Sequence, residues 1–487
     1  MKPPAEFPGR RLICLSAIVL FACSVRFYKI DLPIMDFHAP RQIQTAEITR
    51  NLYRASHNVF YPQVGFLGPE PRPFILEFPL YNAVVALLYG VTGGVDESLG
   101  RVTSILCWMV AGFFLYAIAK RFFNPETALA ALFFFHLSRL GILASRSFQP
   151  EAMMTMLALG SFYFFDRWVE EDRKSLVVCA GILGGLALLV KLPIIHIALP
   201  MAYLLALRKE RLKRRALWAV VGAVMIAVYL WYWHAARVGS TMRAEIGGNW
   251  TLENWFQPSL LASREFYDRL YVTWRSVVLG SIGFALFLLG ILMRVGDRRR
   301  MVFHVWLGAV ILYMLFFNYH AMTHLYYHVP AIAVGSVFAA RAFSAIPAFT
   351  EPLMTRGWVL QSLVAVAVIV TTMEYAAQHA YRIPPEMSRI QEAARAASDI
   401  AGPDDVIVTQ NLMVNYWADR RGWWISPLDK DPISRLEEFR SRGARLFVKY
   451  DPEAFPQQRD LSQHVRTLYP SLKETPEYAI FDLGSQQ

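Results

Sequence analysis

Apolar residues run along this chain in blocks, near 11–29, 101–119, 124–143, 150–166, 176–190, 192–207, 215–233, 274–293, 302–318, 328–346 and 357–376. Most approach the ~20 residues that a helix needs to cross a ~30 Å hydrocarbon core, so each block predicts a spanning helix. A further run at 78–93 fits less well. Counted as a full crossing, it would place "RKERLKRR" (208–215) outside, against the tendency of Lys and Arg to collect at cytoplasmic ends. Laid along or dipping into the outer interface, it leaves Arg10/Arg11, Lys120/Arg121, "EEDRK", "RKERLKRR" and "DRRR" (297–300) all inside. The pattern therefore predicts a polytopic α-helical membrane protein with about 11 transmembrane helices, a cytoplasmic N-terminus and an outside C-terminus.

This arrangement gives the outer face a first loop, 30–100, short turns at 145–151 and 190–193, a long loop, 234–273, and the turn 318–328. The block after Arg10 and Arg11 is long for a signal peptide and lacks a small-x-small cleavage site, so it reads as a retained first span. Residues 1–376 form the predicted membrane domain. From 377 the periodicity changes: "PPEMSRIQEAARAASDIA" and "SRLEEFRSRG" have helical spacing, the second closed by Gly443, while "VIVT", "RLFVKY" and "YAIFDL" read as strands. Residues 377–487 are thus expected to form a small extracytoplasmic α/β domain.

Composition agrees with the pattern. Of 487 residues 55% are hydrophobic and only 18% charged, unlike a soluble chain of this length. The net charge of +11 does not point to nucleic acid, because the Lys and Arg sit in short clusters between apolar runs. Cys14, Cys23, Cys107 and Cys179 all lie inside apolar runs, where neither a disulfide framework nor a metal knuckle is visible. The glycines of "GILGGL" (181–186) also fall in such a run and suit close helix packing rather than a nucleotide.

Against this background the polar residues of the outer face stand out, since ionisable groups beside a membrane are costly unless they meet water, a partner or a ligand. "IMDFHAPRQIQTAEITRNLY" (34–53) carries Asp36, His38, Arg41, Gln42, Thr45, Glu47 and Arg50 just past the first span. Pro40 suits a first helical turn, and Arg41, Thr45, Ile48 and Leu52 then share a stripe, which predicts a helix on the membrane surface. Glu77 opens the 78–93 run, Arg146 and Glu151 flank "SFQP", and Lys191 lies between two runs. His320, His324, Tyr326, Tyr327 and His328 crowd one further turn. Each has a structural reading, such as snorkelling for Lys191 and Arg146. Together they suit a cavity for an anionic, lipid-tethered substrate.

The motifs "MDFHAPRQIQTAEITRNLY", "EFPLYNAVVALLYG", "GRVTS" (100–104), "SRSFQPEAMM" (145–154), "VKLP" (190–193) and "HLYYHVP" follow one another over residues 10–345. In this the chain resembles the GT-C membrane glycosyltransferases, in the branch of the protein O-mannosyltransferases, the aminoarabinose transferase of lipid A and the galacturonosyl transferases of lipopolysaccharide core. The resemblance implies sugar transfer from a polyprenyl-phosphate donor to a glycan, lipid or protein acceptor at the outer side of the plasma (inner) membrane, in contact with membrane lipids and without a nucleotide cofactor. It makes Asp36 the catalytic carboxylate, matches Lys191 to a lysine of the third outer turn, and puts Glu151 at the acidic position after the second. The chain departs from the pattern at Phe37 and His38, where relatives often carry a second acid, and at Glu77, where many carry a lysine; "PRQ" resembles a "WRQ"-like subgroup.

The chemistry suits these residue types. An acceptor hydroxyl must lose a proton, which a carboxylate in hydrogen-bond reach can take. The leaving phosphate gathers negative charge, which Lys191, Arg146 and His324 or Tyr326 would stabilise, with Arg41, Gln42 and Glu77 as further substrate contacts. A single displacement inverts the anomeric carbon. A divalent cation (Mn, Mg or Zn) bridging Asp36, His38 and Glu151 is a further candidate. The aromatic-rich loop 234–273 reads as a lid, or as an interfacial belt, and its "NWT" (249–251) is formally a glycosylation sequon. The alternative is a flippase of lipid-linked sugars, for which internal symmetry and mid-span charges would be expected; the polar groups here gather at one face.

Overall fold

A computed structural model describes residues 8–246, 255–350, 356–426, 429–450 and 456–484. By compactness the chain divides into one unit of residues Met1–Asp31, Ser98–His234 and Asn249–Arg382, and a second of Leu32–Glu97, Ala235–Gly248 and Ile383–Gln487.

The first unit is helical. Five helices among the described residues are long and apolar enough to cross a membrane, or up to seven if two bent pairs each count as one span. The helices Lys174–Val190 and Ala198–Leu207 are apolar but shorter. One bent pair, Pro125–Leu137 and Arg139–Arg146, turns by 60° at Ser138. Arg139 there donates to the carbonyls of Ser276 (2.9 Å) and Thr371 (3.0 Å), so a charge inside an apolar run is met by backbone acceptors.

The basic clusters do converge. Arg121 and Arg299 each reach Asp166 at 2.6 Å, and Arg211 and Arg214 both pair with Asp172. Asp166 lies in the last turns of the helix Glu151–Glu171 and Asp172 just past it, roughly 22 and 31 Å along the axis from Glu151. The charged networks thus lie toward the far end of this helix from Glu151 within this unit.

Close approach is bought by glycine where the helices Gly280–Leu292 and Val329–Thr350 cross. A Cβ on Gly290 would stand 1.9 Å from the Phe338 carbonyl oxygen. Gly290→Val is therefore expected to force the helices apart and cost about 3 kcal/mol, seen as a lower thermal midpoint of the detergent-solubilised protein.

The second unit is α/β. Its strands are β1 (Gln63–Val64), β2 (Leu67–Gly68), β3 (Arg72–Pro73), β4 (Val406–Thr409), β5 (Gly422–Trp424), β6 (Ala444–Lys449), β7 (Ser471–Glu474) and β8 (Ala479–Asp482). A six-stranded sheet runs β2-β5-β4-β6-β8-β7, parallel at β5-β4-β6 and antiparallel elsewhere. Alternating apolar residues bury Val408, Trp423, Phe447 and Phe481 against Leu436, Phe439, Leu461 and Val465 of two helices, Pro432–Ser441 and Pro456–Leu468. The edge strand β2 comes from the segment 30–100: Leu67 pairs with Trp423 and Gly68 with Gly422. That segment and the C-terminal segment therefore fold as one body.

The segment expected as a lid begins as helix. The helix Arg215–Ile246 continues past 233, short helices occupy Pro258–Leu261 and Arg264–Thr273, and "NWT" lies outside the described residues.

Candidate functional site

In the second unit, Ile34, Met35 and Phe37 are buried and fix the backbone around Asp36, which stays partly open. His38 takes a left-handed conformation (φ 50°) that turns the chain into the helix Ala39–Arg54, with Pro40 in its first turn. One helical turn on, the Gln42 amide donates to Asp36 Oδ1 and to the Phe37 carbonyl, both at 2.8 Å. Asp36 thus has a positioned carboxylate with one oxygen held by a neutral donor. Arg41 donates to Gln44 Oε1 (2.8 Å) and pairs with Glu77. Glu77 therefore serves Arg41.

The helix expected on the membrane surface forms, but more of it is covered by protein than its stripe predicted. It is buried along most of its length, including Gln42, Thr45, Glu47, Thr49 and Arg50. Glu47 accepts the Gly65 N–H at 2.7 Å, and its other carboxylate oxygen is buried without a hydrogen bond. Burial raises its pKa, against the pull of Arg50 and of that N–H. Arg50 lies 4.3 Å over the Tyr416 ring, donates to the Tyr416 carbonyl and pairs with Asp419 at 3.0 Å; Arg54 reaches Asp419 at 2.9 Å. The Tyr416 hydroxyl donates to Glu97 at 2.8 Å. This network, which the sequence reading did not assemble, clamps the Asp36 helix to the C-terminal segment.

Burial alone would raise the pKa of Asp419, but Arg50, Arg54 and Arg420 outweigh it and pull the value down. A lowered folded pKa stabilises the fold above the ordinary carboxylate value near 3.9, and that contribution is lost as pH falls through the folded value. Asp419→Asn should therefore lower the thermal midpoint at pH 7, and the difference from wild type should shrink as pH falls through the folded value.

In the first unit, the helix Lys174–Val190 stops where Lys191 turns extended (φ −162°) ahead of Pro193. Lys191 Nζ donates to Glu151 Oε1 at the start of the helix Glu151–Glu171; Glu151 is 0% exposed and Lys191 9%. The same ammonium lies 4.4 Å from the Tyr326 ring centroid and 5.4 Å from that of Tyr327. His320 stacks on Tyr327 at 4.7 Å, and His324 lies 5.3 Å from Tyr326. Burial, then the Lys191 charge, lower the His320 pKa to about 4, so this imidazole is neutral at physiological pH. Of the residues singled out by sequence, Lys191, Glu151, His324 and Tyr326 thus come together.

Arg146 has a different task from the expected phosphate contact. Its guanidinium donates to the carbonyls of Arg26, Tyr28 (2.7 Å) and Lys29 (3.1 Å) and packs on the Tyr381 ring, closing the C-terminal end of the helix Pro8–Phe27. His328 bonds the Ala321 carbonyl (2.8 Å) as a turn residue. Nor is the expected cation set assembled. Among the described residues no three His, Cys, Asp or Glu side chains are grouped to hold a metal, and Glu151 is committed to Lys191. The residues present therefore do not fit a metal centre built on Asp36, His38 and Glu151.

A family model described as dolichyl-phosphate-mannose-protein mannosyltransferase matches residues 72–233. No curated protein sequence matches the chain. Among solved structures, ArnT from Cupriavidus metallidurans bound to undecaprenyl phosphate is similar at a TM-score of 0.63 and 15% identity, covering 97% of this chain and 98% of that one. The archaeal oligosaccharyltransferase AglB from Archaeoglobus fulgidus, in complex with an inhibitory peptide and a dolichol-phosphate, is similar at 0.57 and 12%, covering 96% and 74%. The arabinofuranosyltransferase AftD from Mycobacteria is similar at 0.53 and 13%, covering 100% and 42%. The chain has the GT-C fold that its motifs resembled, a helical membrane fold.

Proposed function

We propose that the protein is a membrane glycosyltransferase that moves a sugar from a polyprenyl-phosphate donor to an acceptor hydroxyl of a glycan, lipid or protein. The observation carrying this reading is the Asp36 carboxylate, fixed by Gln42 at a helix entrance in a chain of GT-C fold. Asp36 takes the acceptor's proton as its oxygen attacks the anomeric carbon. The bond from that carbon to the lipid phosphate breaks and the configuration inverts. The phosphate leaves as an anion and needs no general acid. Lys191, beside Tyr326, His320 and His324, receives that charge where water is scarce. Arg41, with Glu77, contributes a further substrate contact, and no step runs through a metal.

The reading includes about 11 spans in a plasma membrane, with the helices Pro8–Phe27 and Glu151–Glu171, the two shorter helices and both bent pairs counted. Residues 1–376 are its membrane domain and 377–487 its outer domain, with Asp36 on the extracytoplasmic side. The loop 234–273 is read as its lid, and Trp255 of that loop lies 6.3 Å from His320. The test supplies wild type and Asp36→Asn, purified in nanodiscs, with a radiolabelled polyprenyl-phosphate sugar and a membrane or lipopolysaccharide acceptor fraction. Label transferred only by wild type supports the reading. Full transfer by the variant, or donor crossing without transfer, overturns it, the second in favour of a flippase.

A further inference from the structure

In the first unit one polar side chain beside Lys191 is uncommitted. His320 is half-buried on the short helix Asn318–Thr323. Its Nδ1 is buried without a hydrogen-bond partner, and among the described residues Nε2 has none either. The ring is nevertheless held in one orientation. Tyr327 stacks on it at 4.7 Å and 16°, His324 lies 5.4 Å away, and Trp255 meets it edge-on. The Trp255 segment is itself pinned, because the buried Asn318 side chain exchanges two hydrogen bonds with the Gln257 backbone, at 2.9 and 2.8 Å. An imidazole is thus fixed in the Lys191 cluster with a ring nitrogen to spare.

A site that receives the leaving phosphate meets a charge that changes during the reaction. The donor is a phosphodiester with one negative charge. When the bond to the anomeric carbon breaks, its electron pair stays on the phosphate oxygen, and the product is a monoester that carries up to two. Lys191, already paired with Glu151, supplies one positive charge in both states. We propose that His320 answers the second charge: it takes a proton from water once the lipid monoester has formed, donates from Nε2 to a phosphate oxygen, and returns the proton as the monoester leaves. His320 thereby distinguishes product from donor. The role rests on the transferase reading, which makes the monoester the product. The proton arrives after the bond has broken, so bond breaking itself still depends on Lys191.

The surroundings fit a ring that is neutral until an anion arrives. The charged and titratable groups facing it are Lys191, His324, Tyr319 and Tyr327, none of them an acid. The helix Val302–Phe316 adds Tyr313, stacked on Tyr327, and the helix Arg264–Thr273 turns Phe266 inward while Arg264, Glu265 and Asp268 are exposed. A phosphate dianion offsets the Lys191 charge and favours the imidazolium. The pKa is then higher in the complex than in the empty site, so the added affinity is present at low pH and is lost as pH rises through the value in the complex. If that value returns from about 4 to the ordinary ~6.5, monoester affinity gains roughly fourfold at pH 6 relative to pH 8, with about 0.7 of a proton taken up at pH 6.

The test is calorimetric binding of farnesyl phosphate, a lipid monoester, and of its methyl diester to the full chain in nanodiscs, at pH 6 and pH 8 and in two buffers of different ionisation enthalpy. The monoester's own second ionisation is common to every protein tested and cancels between wild type and His320→Gln. The ratio of affinities at pH 6 and pH 8 should be roughly fourfold larger in wild type than in His320→Gln for the monoester, with matching extra proton uptake, and the same in both for the diester. His320→Asn should repeat the result, with circular dichroism and thermal midpoints verifying both folds. Wild type carrying ¹³C-labelled histidine needs no substitution: one imidazole Cε1 resonance should move to its protonated position at pH 6 with the monoester and not with the diester. Equal ratios in wild type and both variants, an equal effect on the diester, no binding of the monoester, or no histidine protonation overturns the proposal. If these signs are missing while transfer requires Asp36, the role of His320 alone is refuted. If they are present while Asp36→Asn transfers normally, only the transferase reading falls.

Discussion

Asp36→Asn is expected to lower sugar transfer by roughly 10²–10⁴-fold, the usual contribution of a positioned general base, with little change in the thermal midpoint. The amide is nearly isosteric, and the segment is fixed by buried Ile34, Met35 and Phe37 rather than by the carboxylate. Gln42 donates to Asp36 Oδ1, and an asparagine oxygen in the same place accepts that bond equally well. What is lost is the ability to accept a proton from the acceptor hydroxyl. The loss therefore belongs in kcat, with the Michaelis constant for the lipid donor nearly constant. Gln42→Leu should give a milder defect, because it frees the carboxylate to rotate without removing it. Transfer by Asp36→Asn within a factor of two of wild type would show that the acceptor is deprotonated elsewhere.

How much of this was legible in the sequence depended on whether a contact leaves a periodic trace. Spanning helices and the strands at 406–409, 444–449 and 479–482 do, because burial imposes a period on many residues. The pairing of Lys191 with Glu151 had a trace of another kind: opposite charges at the same ends of successive apolar helices, 40 residues apart. Strand β2 left almost none. It is two residues long, and its partner is identified only in the fold, where a Cβ on Gly422 would stand 1.7 Å from the Ile407 carbonyl oxygen. The contacts of Arg146 and Arg139 left no trace for a related reason. Their partners are backbone carbonyls, which every residue supplies and no sequence pattern marks. The helix 215–246 outran its apolar run because polar residues continue a helix into water as readily as they end it. The stripe of the Asp36 helix did not show how far that helix is covered by its own unit, with Arg50 and Glu47 made tolerable inside by Asp419, Tyr416 and the Gly65 N–H.

The second large effect concerns Lys191, where stability and chemistry can be separated. Lys191→Met leaves Glu151, 0% exposed, without its counter-charge. Breaking a buried pair from one side costs about 3–5 kcal/mol, so the variant should melt well below wild type. Removing both charges together, in Lys191→Met with Glu151→Gln, leaves no ion to solvate and should recover most of the lost stability. Activity should not follow. The ammonium lies 4.4 Å from the Tyr326 ring centroid, at the aromatic and histidine cluster assigned to the donor phosphate, and neutral His320 cannot replace its charge. Loss of one such stabilising group costs roughly 10²–10³-fold in turnover, so the double variant should be stable and still impaired by about that factor. Thermal melts and single-turnover transfer on the same nanodisc preparations read the two quantities independently. A double variant that regains both would reduce Lys191 to the neutralisation of Glu151 and move the phosphate's counter-charge to another cation.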